Sequence, residues 1–179
     1  MIDNIKVYNH SNRNNDAIDI DGCRRVTISN SIFDSDDDGI TLKSTGSAPT
    51  EDVTITNCVV SSFCNAIKAG TESTGGFRNI NINNCVIKPS RYPSKPIYGT
   101  SKGITGISLE IVDGGIMEGI SISNVTIEGT ECPLYIRLGN RGRKHTKDAP
   151  EPSVGKMKNI SISNLTAYNT GNFSNSITA

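Results

Sequence analysis

Aspartates crowd the first quarter of this chain in a pattern that could do acid–base chemistry. Asp16 and Asp19 lie in D-A-I-D-I at 16–20, and D-S-D-D-D at 34–38 puts Asp34, Asp36, Asp37 and Asp38 within one short turn. Carboxylates held together repel, so one of them keeps a proton at a pH where a lone aspartate has lost it. A protonated carboxyl beside ionised ones is what glycoside hydrolysis needs. The acid protonates the leaving oxygen while a second carboxylate activates water on the opposite face of the sugar. The same cluster also fits a calcium site or a merely acidic turn.

A repeated register places these residues. D-A-I-D-I at 16–20, D-G-I-T-L at 38–42, N-A-I-K-A at 65–69 and T-G-I-S-L at 105–109 share one pattern. If they pair in line, Ile18, Ile40, Ile67 and Ile107 stack inward, and Asp16, Asp38, Asn65 and Thr105 form an outward column. Asp19, Thr41, Lys68 and Ser108 form a second one. Like charges on adjacent strands are unfavourable, so a stacked Asp16–Asp38 pair argues for a task that needs both.

The elements that must hold this column announce themselves in a second phrase, apolar-x-apolar-x-Asn. Its six copies end at Asn9, Asn30, Asn57, Asn84, Asn124 and Asn164, so they are spaced 21, 27, 27, 40 and 40 residues apart. Such a period marks a structural repeat with insertions of growing length. Strict alternation of Val, Ile and Thr reads as short strands with one face inward, and no stretch carries a helical period. The expected fold is therefore all-β, a right-handed single-stranded parallel β-helix forming one domain over 1–179, in three or more sheets with the asparagines stacked at one corner. Cys58 and Cys85 follow ladder asparagines and should stack as reduced core thiols, the other cysteines being buried as well.

Composition excludes several classes. Eighteen basic residues balance eighteen acidic ones, which argues against nucleic acid and anionic membranes as partners. No apolar run is long enough for a membrane-spanning helix, and the N-terminus lacks the pattern of a signal peptide. Aromatic residues are few and Trp is absent, so the core must be aliphatic. Two insertions stand out: 89–103, with Arg91, Tyr92, Lys95, Tyr98 and Lys102, and 139–152, where Arg141, Arg143, Lys144 and His145 join Arg137 as candidates to line a cleft for an anionic polysaccharide.

On these motifs the chain resembles glycoside hydrolase family 28, the polygalacturonases and their relatives. N-N-D-A-I-D-I at 14–20 is similar to that family's N-T-D-G-x-D segment, S-D-D-D-G-I-T-L-K-S at 35–44 to its G/Q-D-D-C-I-A segment, and F-C-N-A-I-K-A-G-T-E-S-T-G-G at 63–76 to its G-H-G segment. The resemblance, which covers about residues 4–168, implies inverting hydrolysis of O-glycosidic bonds in a pectic polysaccharide or oligosaccharide. Asp37 would be the general acid, Asp16 and Asp38 would hold the attacking water, and no metal or other cofactor would take part. It further implies a secreted or periplasmic protein acting as a monomer, and a chain truncated at its N-terminus, because relatives carry further coils before the first catalytic one. Asn65 stands where the family has a histidine, and S-L-E at 108–110 where it has R-I-K, so Ser108 and Glu110 replace two cations that grip galacturonate. Asn65, Lys68, Ser108, Glu110 and Arg137 are the expected substrate-binding residues, with Lys68 or Lys43 as replacement cations and Arg137 one coil from Glu110. A carbohydrate-binding protein without catalysis, and a calcium-dependent pectate lyase, are the alternatives.

Overall fold

The computed structural model describes residues 1–11, 14–90 and 102–179. Among these the protein is all-β, and every strand pairing is parallel. Two sheets share the chain alternately. The smaller runs in the order β15 (Ser176–Thr178), β13 (Thr130–Leu138), β11 (Gly103–Ile111), β9 (Asn65–Ser73), β6 (Ile40–Ser44) and β3 (Ile18–Asp21). The larger holds β1 (Ile2–Asp3), β4 (Arg24–Ser29), β7 (Thr50–Thr56), β10 (Phe77–Lys88), β12 (Ile116–Glu128) and β14 (Lys156–Tyr168). It also takes in β8 (Val59–Ser62), which pairs onto the second half of β10, followed by β5 (Ile32–Ser35) and β2 (Lys6–Asn9) in turn.

The core consists of single-file aliphatic stacks between the sheets. Ile18, Ile40, Ile67 and Ile107 pair in register as the alternation requires, and Leu134 continues the file. Opposite them, Ile28, Ile55, Ile82, Ile122 and Ile162 make the matching file of the larger sheet. Each fully buried isoleucine removes enough apolar surface from water to contribute roughly 1.5–3 kcal/mol. Because strands are 4.7–4.9 Å apart, one side chain per strand fills each layer.

Two differences from the sequence expectation lie at one bend. There are two sheets rather than three, because β10, β12 and β14 run through the bend unbroken and so join the strands that end on either side of it in the earlier layers. At the bend Asn30, Asn57, Asn84, Asn124 and Asn164 all adopt left-handed backbone, with φ of 52°, 54°, 51°, 54° and 50°. Asparagine tolerates this conformation better than other side chains with a Cβ, so the residue turns a strand while its neighbours stay paired. The first member of the row is Asn4 (φ 53°), not Asn9. Ile2 pairs with Ile28, which sets Asn4 opposite Asn30, whereas Asn9 pairs with Ser35 one strand later. The amide ladder is real but intermittent: Asn57 donates to Asn30 at 3.3 Å and Asn164 to Asn124 at 3.1 Å.

A second left-handed row, made of Arg25, Asp52, Asn79, Gly119 and Asn159, was not legible because its residue types vary. The cysteines are all free; Cys58, Cys64, Cys85 and Cys132 are buried, but Cys23 is exposed, contrary to the expectation of a buried thiol. Pairing of Val59 with Val86 places Cys58 beside Cys85 as expected.

Candidate active site

Two carboxylates, those of Asp16 and Asp37, meet at the backbone N–H of a third aspartate, Asp38. Asp38 N–H donates to Asp16 Oδ1 at 3.2 Å and to Asp37 Oδ1 at 3.0 Å. The outward column runs unbroken from there. Ala17 N–H donates to the Asp38 carbonyl, Asn65 donates through both its backbone N–H (3.0 Å) and its side-chain Nδ2 (2.6 Å) to Asp38 Oδ1, and Thr105 Oγ1 donates to Asn65 Oδ1 at 2.6 Å. Asn65, where the family resemblance has an imidazole, thus holds Asp38 by two hydrogen bonds.

The backbone of the acidic turn is clamped from below. Ser35 Oγ donates to the carbonyls of Asp37 and Asp38, and Ser62 Oγ to that of Asp37. Gly39 follows directly, and a Cβ there would overlap the carbonyl oxygen of Ala66 and the side chain of Val60. The chain after Asp38 therefore lies flat against the next strand, fixing where the carboxylate points.

Neighbouring lysines hold the like charges in place. Lys43 Nζ lies 2.9 Å from Asp16 Oδ2 and 2.7 Å from Asp19 Oδ1, and Lys68 Nζ lies 2.8 Å from Asp38 Oδ2. Burial pulls both ammonium groups down, but the hydrogen bonds and charges of Asp16 and Asp19 outweigh it for Lys43, and those of Asp38, with Glu110 and Glu72, for Lys68, so both end above their ordinary values. Neither lysine is a loose surface cation. Among the described residues Asp37 has no such partner: burial pushes its carboxyl above the usual carboxylate range, and the charges of Asp38 and Asp16 add to the push against hydrogen bonds from Cys64 and Asp38 N–H. Burial and the neighbouring charges thus favour the protonated form of Asp37.

The spacing departs from expectation. An intervening water calls for a carboxyl separation of roughly 6.5–9.5 Å. Asp37 and Asp38, however, have carboxylate oxygens within 4.8 Å of each other and of Cys64 Sγ. Asp37 Oδ1 and Asp16 Oδ1 accept from the same N–H, which keeps them almost as close. No family model matches this chain. No curated protein matches it either. The chemistry of the site therefore rests on its geometry.

The structure divides the other expected residues. Asp34 and Asp36 are buried away from the three carboxylates, against His10, whose Nε2 lies 3.2 Å from Asp34 and whose Nδ1 lies 2.8 Å from Asp36. Ser108 is fully buried and donates to Glu110 Oε1 at 2.9 Å, whereas Glu110 lines a pocket with Asn65 and Thr105. Arg137 pairs in register with Glu110 as expected, and no ion pair joins the two among the described residues. Arg141 is spent on Asp113 and Glu72 rather than on a cleft. Arg143, Lys144 and His145 do line a pocket of about 440 Å³ with Asp19, Asp21 and Lys43. Arg91, Tyr92, Lys95 and Tyr98 lie outside the described residues.

Proposed function

We propose that this chain is a right-handed single-stranded parallel β-helix, polygalacturonase-like, that hydrolyses O-glycosidic bonds of a pectic polysaccharide or oligosaccharide in the secreted or periplasmic compartment. The observation that carries the reading is the Asp16–Asp37–Asp38 cluster joined through one N–H, in which, among the described residues, Asp37 alone lacks a lysine and is pushed toward its protonated form. Asp37 then donates a proton to the leaving glycosidic oxygen. Asp16 and Asp38 orient and deprotonate the water. Parallel pairing in every layer, with each strand opposite its counterpart one repeat later, supports the β-helix.

Inversion requires room for a water between acid and base, and the present oxygen spacing is too small, so substrate must part Asp37 from the other two. The test is hydrolysis of pectic oligosaccharides followed by NMR of the first-formed anomer. An inverted product supports the reading, a retained one assigns Asp38 or Asp16 as nucleophile, and no reducing ends from any pectic substrate removes hydrolysis. That last outcome leaves the second reading, a carbohydrate-binding protein, which the engagement of both candidate bases by Lys43 and Lys68 favours. The lyase alternative is weaker, since the tightest cluster among the described residues contributes a thiol, Cys64, and calcium takes oxygen ligands.

A further inference from the structure

The column that carries Asp38 runs directly into a second pocket, and its chemistry is unlike that of the first. A cavity of about 570 Å³ opens beside Asn65 and Thr105 and is walled by Glu110, Tyr135, Phe173 and Ser176. Three of the four phenylalanines, Phe33, Phe63 and Phe77, are buried in the core; Phe173 is 67% exposed. An exposed ring at a pocket mouth offers a flat apolar face at low conformational cost. The single carboxylate in the wall, Glu110, is itself only 8% exposed and is oriented by Ser108 through Oε1. A buried carboxylate accepts hydrogen bonds from hydroxyls and repels another carboxylate. Tyr135 lies in the next strand in register with Ser108, which brings its ring to the same wall.

We infer that Tyr135, Phe173 and Glu110 form a subsite for an uncharged pyranose, one sugar unit stacked on an aromatic ring with its hydroxyls donating to Glu110. Thr105 and Asn65 connect this subsite to Asp38, so the neutral unit lies next to the bond addressed by the carboxylates. The inference rests on the proposed carbohydrate reading and names the sugar class that the site takes.

The experiment compares α-1,4-linked galactotetraose with α-1,4-linked tetragalacturonate, which differ only at C6, by calorimetric titration of the intact chain and of its Asp37→Asn variant. Both proteins should bind the neutral ligand at least about tenfold tighter. Phe173→Ala, at an exposed position, should keep the melting temperature and lose about tenfold in affinity for galactotetraose, on the order of 1.4 kcal/mol. Glu110→Gln should bring the two ligands to within about twofold. Equal binding of galactotetraose by Phe173→Ala and wild type, or preference of the wild type for tetragalacturonate, overturns the subsite. Binding of galactotetraose without cleavage of any pectic substrate sustains the subsite while removing the hydrolase reading, and cleavage without galactotetraose binding does the reverse.

Discussion

Two polar rows run along this molecule, built on the same stacking geometry and solved in opposite ways. The asparagines at the bend of the larger sheet are neutral amides in left-handed backbone, passing weak hydrogen bonds from one strand to the next. The row on the smaller sheet places Asp16 and Asp38 one above the other and must hold them with Lys43 and Lys68. A fold that needed only a polar column there had the asparagine solution at hand. Charge is retained on one row and absent from the other, and that contrast separates chemistry from architecture more clearly than burial or repetition does.

Substitutions should pull the rows apart, beginning with the largest effect. Asp37→Asn should lower turnover of a pectic oligosaccharide by about 10²- to 10⁴-fold, the usual range for loss of a general acid, in a reducing-end assay. The same variant makes a pH prediction. Because the folded Asp37 carboxyl lies above its unfolded value, its contribution to stability is complete below the ordinary aspartate range and is lost as pH rises through the raised value. Asn, neutral throughout, should therefore melt higher than wild type at neutral pH and close to it at strongly acid pH. Wild-type activity should fall across the same rise in pH, as Asp37 gives up its proton.

Lys68→Ala leaves Asp38 buried with no ammonium beside it, and should cost about 3–5 kcal/mol in urea unfolding. Gly39→Ala tests placement rather than charge: the new methyl collides with Ala66 backbone, and a loss of about 1–3 kcal/mol should come with a drop in activity. On the asparagine row the effects shrink. Asn124→Ala should cost about 1–2 kcal/mol, since alanine is strained at φ 54°, and Asn124→Gly only a few tenths. An Asn124 effect as large as that of Lys68 would mean that the two rows are not different in kind.

Much of this was readable before the structure. Alternating Ile, Val and Thr fixed which residues face inward, and the file from Ile18 to Ile107 pairs as the pattern demands. The Asp16–Asp38–Asn65–Thr105 column was legible from the shared register of its four segments, but alternation alone would turn these residues inward with the isoleucines two places on; Asp16 and Asp38 escape it because they stand just before β3 and β6 begin. Asn9 misled because its local phrase matches the repeat, whereas register is decided by the pairing of Ile2 with Ile28. The D-S-D-D-D run looked like one cluster, yet alternation along β5 and the turn after it sends Asp34 and Asp36 to His10. His10 and Ser62 were missed because each acts across a distance in sequence that no local motif spans, and Ser35 because it acts on backbone carbonyls two and three residues on, which a pattern of side-chain types does not encode. Tyr135 and Phe173 meet only when the segment before β15 returns to the wall of the smaller sheet.

Arg141 has a mechanical meaning as well. Nearly all the hydrogen bonds of the sheets join a strand to its immediate neighbour, so such a structure can fray from an end one layer at a time. Arg141 does not respect that order: it holds Asp113, 28 residues back, and also reaches Thr71 and Glu72, 70 and 69 residues back. It acts as a rivet through successive layers. Tension applied to the last strand should peel β15 and β14 at low force and then stall until the rivet gives way, converting a gradual unzipping into a stepwise one.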